Sequence, residues 1–388
     1  MIAYNKEWLD NSVTAEELEN AYLENLISKQ EKEAAQKIFP VGFYSPDIFI
    51  RIGLFILTVV IIGFSFGLVS AIFFRGISDD TILTNFLIFF GLITYGLLEL
   101  IVQHKQHYKS GVDDALLWMC GGCIVGGLNM ANNISATGNS VIIFIIAFYF
   151  LLRFANAVMG VLAVLSLLTF VLLTCSELGA AAKATAPFLL MVIAGGIYFF
   201  SRKLLLQTSA RHYKNALIFI QVVSLIAVYT AVNYFVVREA SVALFNLDLK
   251  GGEGIPFGWL FWFFTFFIPC LYIFRGIQKK DVVLLRVGLL LVAAIVFTVR
   301  YYHSILPAEI AMTVGGLILT GIAYALIKYL KQPKYGFTYQ AIYDKHLPDK
   351  INIEALVIAE TFSAAQPADN STGFGGGSFG GGGATGDF

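Results

Sequence analysis

The stretch "WMCGGC" sets Cys120 and Cys123 three residues apart inside a run of small and apolar residues. On a helix that spacing puts both thiols on one face, near enough for disulfide or metal chemistry once the helix distorts. Cys270, in "IPC", falls at a broadly similar depth on a later apolar run and would complete a thiol relay, whereas Cys175 has no obvious partner. The same residues also read as packing. Gly121, Gly122, Gly126 and Gly127 surround the pair, and cysteine behaves as one more small apolar residue where membrane helices approach closely.

A second constellation is ionisable. The run "ELIVQHKQHYKSGVDD" holds Glu99, His104, His107, Asp113 and Asp114. Ionisable groups at a membrane span mark ion or proton sites by default, so these five describe an acidic inner mouth able to take a proton or a cation. The competing reading pairs Glu99 with a nearby Lys or Arg at headgroup level. Asn129, Asn132 and Asn133 cluster further along, where amides either bond between helices or line a pore. "RYYHSILPAE" brings Arg300, His303 and Glu309 into one turn, as a structural charge cluster or a binding site.

Other chemistry finds no footing. The chain has no phosphate loop, no G-x-S-x-G and no H-E-x-x-H. No set of His, Cys and carboxylates has metal-site spacing, and neither a catalytic residue nor a cofactor is assigned. Net charge is zero over 388 residues, and no basic patch with interleaved aromatics fits a nucleic acid. Four cysteines in so long a chain make no disulfide framework.

The elements that must position these groups are membrane helices. Hydrophobic residues make up 57% of the chain and charged ones 13%, about half the charged share of soluble domains. A helical span needs roughly 20 apolar residues, and ten segments qualify, near 48–74, 82–103, 112–131, 138–152, 156–175, 185–200, 213–237, 257–275, 281–300 and 307–330. The fourth and fifth, separated only by "RFAN", are a hairpin or one bent helix. A hairpin is preferred, because one helix over 138–175 would be about 57 Å long, nearly twice the apolar thickness. No broken pair of helices of the transporter type stands out.

Charge placement sets the orientation. With the N-terminus inside, nineteen Lys and Arg face the cytoplasm and five face outward (Arg75, Lys183, Arg238, Lys250 and Arg300). Arg51 and Arg286 lie within spans and complete the 26. This is a strong positive-inside pattern, with both termini cytoplasmic. The fold class is therefore an all-α polytopic transmembrane bundle of about ten spans.

The polar ends flank it. Residues 1–47 carry no signal-peptide pattern and read as a cytoplasmic helical segment, with Thr14 and Glu17 as a capping box and Leu18, Tyr22 and Leu26 as an apolar stripe. The bundle covers 48–331. Residues 332–370 form a polar cytoplasmic segment with a short amphipathic helix at 351–362. Residues 371–388, "STGFGGGSFGGGGATGDF", space Phe374, Phe379 and Phe388 along a glycine string that orders only when held.

Two resemblances add to this. "WLDNSVTAEELENA", before a first span opening "IRIGLFILTVV", resembles the start of bacterial multipass membrane proteins of unknown function. "FTVRYYHSILPAEIAMTVGGLILTGIAYALIKYL" is similar to the last spans of GDYxxLxY-related chains, although that motif itself does not occur here. The tail resembles those of TPM-domain membrane proteins, without the domain. These likenesses imply a bacterial inner-membrane location and a tail read by a protein partner, but no activity. The expectation is a non-enzymatic membrane component that lies in the lipid bilayer and recruits a cytoplasmic or membrane protein through its ends. An ion-coupled or small-molecule transporter is the alternative, and a membrane thiol oxidoreductase a distant third.

Overall fold

The computed structural model describes residues 2–23, 25–73, 80–243 and 254–302, with six single positions between 313 and 328. Among these the chain forms helices and no strand. In order they are α1 (Lys6–Leu23), α2 (Lys29–Ile38), α3 (Ile48–Phe73), α4 (Asp80–His104), α5 (Val112–Asn132) and α6 (Ala136–Phe154). They continue as α7 (Ala157–Glu177), α8 (Ala180–Leu205), α9 (Lys214–Val232), α10 (Tyr234–Ala243), α11 (Gly258–Lys279) and α12 (Val282–Tyr302). Among the described residues nine segments are helical, long and apolar enough to cross a membrane, and they match the first nine expected spans. The protein is an all-α, multi-pass membrane bundle. The tenth span, apart from those single positions, lies outside the described residues. So do His303, Glu309, the 351–362 patch and the tail with Phe374, Phe379 and Phe388.

The fourth and fifth spans are a hairpin. Ala155 turns left-handed at φ 49° and ends α6, while the Asn156 side chain accepts the Val158 and Met159 N–H groups at 2.9 and 3.2 Å and starts α7. "RFAN" is thus a stop followed by a cap.

Two packing units share α9. Leu98, Val102, Leu116, Phe150 and Phe154 centre the first, built on α4 to α7. Tyr229, Tyr272, Val287 and Leu291 centre the second, built on α8 to α12. Ala216 and Ile220 of α9 belong to the first, and Leu225 and Tyr229 to the second. The α4–α5 contact is set by missing side chains. A Cβ at Gly91 would stand 2.9 Å from Ile124 Cγ1 and 3.1 Å from Cys123 Cβ, and one at Gly127 only 2.6 Å from Ile88 Cγ1. Small residues let these helices meet closely enough for dispersion to hold them.

Two local expectations are corrected. Thr14 lies inside α1, where its hydroxyl donates to the Asp10 carbonyl at 3.2 Å, so Thr14 and Glu17 form no capping box. Asn5 caps α1 instead, its Oδ1 accepting the Glu7 N–H at 3.0 Å. A true capping box lies at Ser28 and Glu31, starting a second helix after a turn through Asn25 at φ 57°. The seventh span, 213–237, is not continuous either. It breaks at the extended residue Asn233, between α9 and α10.

Candidate functional site

The ionisable residues meet at the end of the bundle that carries the N-terminus. Four connections gather its loops there. Ala3 N–H donates to the Arg153 carbonyl at 2.9 Å, Tyr44 and Gln106 are joined at 3.0 Å, Asp10 meets Arg211 at 2.9 Å, and Arg202 meets Asp281 at 2.8 Å. Loops expected on one side of the membrane therefore lie on one side of the bundle.

Helix α1 is bolted across this face. Tyr4 is buried edge-on against Tyr108, Phe43 and Phe154. Burial raises its phenol well above the ordinary value, and the nearby Asp113 charge adds to the shift. Trp8 lies over Gly42, where a Cβ would meet the indole at 2.5 Å, and its ring meets Phe43. Leu9 is buried, and Asn11 donates to the Pro40 carbonyl at 2.9 Å.

The five candidates of the inner mouth divide into separate networks. Glu99 is held in a fork by Arg153, Nε to Oε1 at 2.7 Å and Nη2 to Oε2 at 2.8 Å. Tyr95 adds its hydroxyl at 2.6 Å and Gln103 its amide at 2.9 Å. A bidentate fork with two further donors fills the carboxylate's acceptor sites. Asp114 joins three parts of the chain, accepting from Arg51 of α3 and, at 2.8 Å, from Asn156 of the α6–α7 turn. Asp113 faces its own loop, accepting the Lys109, Ser110 and Gly111 N–H groups at 2.8, 2.9 and 3.1 Å. His107 Nδ1 lies 2.8 Å from Ser110 Oγ, and His104 is exposed at the end of α4.

Gly111 makes that loop fit. Its φ is +90°, and a Cβ there would lie 2.1 Å from the Arg51 carbonyl oxygen. Only glycine tolerates that backbone and that approach together.

The thiols are free. Cys120 is buried and Cys123 half-buried on α5, against Gly91 of α4. Cys270 is exposed on α11 and Cys175 buried on α7. Among the described residues no group of three His, Cys, Asp or Glu is arranged to hold a metal ion. Asn129 donates to Asn139 of α6 at 2.8 Å, while Asn132 and Asn133 serve the end of α5. At the far end, Asn233 donates to Tyr229 Oη at 2.8 Å and Thr298 Oγ1 at 3.2 Å, and accepts the Val236 N–H.

Between α1 and the loops lies a polar cavity of about 480 Å³. Glu16 and Glu17 line it from α1, with Lys109, Arg211, His212 and Lys214 opposite. The sequence reading missed Tyr4, Arg153 and Asn156 as organisers of this face. Only Asn156 left a local signal, an amide at the expected start of the fifth span, where a helix N-cap belongs. No known protein family, curated protein or solved structure matches the chain.

Proposed function

We propose that this protein is a non-enzymatic component of the bacterial cytoplasmic membrane that recruits a protein partner at its N-terminal face. The observation that carries the reading is the contrast within the α1–α2 unit. Helix α1 is fixed to the bundle through Tyr4, Leu9 and Asp10, whereas α2 buries none of its residues. Leu26, Ile38 and Phe39 stay exposed around it. An anchored hairpin with an unburied apolar edge suits docking better than a helix packed for stability alone. The Gly/Phe tail, with Phe374, Phe379 and Phe388, would add a weak and reversible contact.

The transport alternative needs acids free to exchange an ion. Glu99, Asp113 and Asp114 each have their oxygens committed to local donors, which favours the recruiting role. The test is quantitative crosslinking in the native membrane with full-length protein, with Leu26→Asp/Ile38→Asp, and with residues 371–388 removed. A partner lost in the first variant and weakened in the second supports recruitment. An unchanged crosslink pattern in both would overturn it.

A further inference from the structure

A second cavity, of about 490 Å³, lies among α6, α7, α8 and α9, and its chemistry is unlike that of the first. Its walls are almost wholly hydrocarbon, including Leu151, Ala163, Val164, Leu217 and Ile220. Two of its three polar side chains are already partnered. Ser201 Oγ donates to the Tyr198 carbonyl at 2.9 Å, and Tyr213 Oη to the Leu152 carbonyl at 2.7 Å. Such a space offers water few bonding partners, and apolar cavities of this kind stay dry.

Small residues open it. Ala163, Ala210 and Ala216 line it where larger side chains would fill it, while at Gly160 a Cβ would already meet Ile220 at 3.1 Å and Leu151 at 3.3 Å. Its position in the bundle limits what can enter. The lining residues come from the C-terminal half of α6, the end of α8, the short 3-10 turn Thr208–Tyr213 and the N-terminal parts of α7 and α9, so the cavity occupies the half of the membrane nearest the N-terminal face. Phe148 of α6 and Phe200 of α8 line the cavity and are also exposed, 44% and 64%. They stand where the surface of the bundle faces lipid. A soluble ligand or a polar peptide cannot reach a dry cavity through that opening, but a hydrocarbon chain can.

We propose that this cavity holds one acyl chain of a bilayer phospholipid, inserted sideways between Phe148 and Phe200 as a fixed part of the fold. The gain is in contact. An empty space deprives its lining of dispersion partners, and a chain already in the membrane fills it without a dehydration step. The seated chain then touches the α6–α7 hairpin and the α8–α9 pair at once. It therefore acts as a strut across the α7–α9 seam, where the first packing unit meets the helix shared with the second.

The test uses the full chain in nanodiscs of phosphatidylglycerol and phosphatidylethanolamine, doped with phosphatidylglycerol that carries a diazirine midway along one chain. After irradiation, crosslinked residues are mapped by mass spectrometry. Label on Ala163, Leu217 and Ile220 that falls more slowly, when unlabelled lipid is added before irradiation, than label on the outward-facing Phe64 of α3 supports the proposal. Label confined to outward-facing residues, with the inner wall bare, overturns it. A prenyl quinone that displaces the inner label at lower mole fraction than phospholipid overturns the choice of occupant. Ala163→Phe, which fills the space, should reduce label on Leu217 and Ile220 to background and abolish the thermal stabilisation that added phospholipid gives the detergent-purified protein. If that variant does not fold, the wild-type labelling pattern still decides.

Discussion

Arg153 grips Glu99 through two parallel bonds, Nε to Oε1 at 2.7 Å and Nη2 to Oε2 at 2.8 Å, and so ties α6 to α4. The pair is sheltered, with the Glu99 side chain 16% exposed and that of Arg153 25%. Tyr95 reinforces the link by bonding both Glu99 Oε1 and Tyr149 of α6, each at 2.6 Å. The Arg153 carbonyl also receives Ala3, so the same residue fastens the N-terminal segment. Glu99 is in this arrangement a fastener between helices.

Glu99→Gln should therefore cost stability. It leaves a sheltered guanidinium facing a neutral amide, a loss of about 3 kcal/mol. Arg153→Met strands the opposite charge and should cost a similar amount. The double variant should lose less than the sum, because neither charge is then left alone. Thermal unfolding in detergent of all four proteins measures the coupling. Strictly additive losses would remove the fork from any account of the fold.

Gly111→Ala is expected to force α3 and α5 apart at the N-terminal face. The new Cβ would collide with the Arg51 carbonyl oxygen on a backbone already at φ +90°. A strained left-handed backbone alone costs about 1–3 kcal/mol, and the collision adds to it. Gly196→Ala is the control, since a Cβ there meets nothing within 4 Å. Proteolysis within residues 105–111 should accelerate in the first variant and stay unchanged in the second. Equal rates would mean that the loop does not depend on this approach.

The bundle was legible from sequence because membrane spans are written in long apolar runs, and Lys and Arg placement fixes their alternation. The hairpin at "RFAN" followed from length alone. The role of Glu99 was legible only as a choice, since a carboxylate near a span end looks the same whether free or paired. Its partner, Arg153, is 54 residues away and lies on a different helix, which no local pattern encodes. The capping box was misplaced because Thr14 and Glu17 match the motif, while Asn5 already caps the helix upstream. The break at Asn233 was invisible because the surrounding residues are apolar, and the amide's bonds to Tyr229 and Thr298 are tertiary.

Asn233→Ala should loosen the α9–α10 joint. It removes the donor to Tyr229 and Thr298 and the acceptor of the Val236 N–H, all within a buried cluster. Stranded polar groups at such a site cost about 2 kcal/mol. Hydrogen exchange is the direct readout. Amides at the start of α10 should exchange faster than in the parent, while those in the middle of α5 keep their protection. Unchanged exchange in α10 would show that the backbone break persists without the side chain.

Acidification should weaken the N-terminal face through His107. Burial lowers its pKa below the ordinary 6.5; the Asp113 carboxylate opposes that shift and the Lys105 charge adds to it. The folded protein therefore binds the proton less readily than the unfolded chain does. The contribution of the neutral ring is fully present above pH 6.5. It is lost as the pH falls from there through the depressed folded value, and below that value the penalty is constant. Ser110 Oγ bridges His107 to Asp113, at 2.8 Å from the ring and 3.1 Å from the carboxylate, so strain at the ring passes into the loop that Asp113 organises. Proteolysis of residues 105–111 should rise as the pH is lowered from 7.5 to 5, the rise beginning below the ring's ordinary 6.5 because burial depresses the folded value. His107→Gln should flatten that rise while leaving the rate at pH 7.5 close to that of the parent. A pH dependence of the same size in the variant would assign the effect to another group on this face.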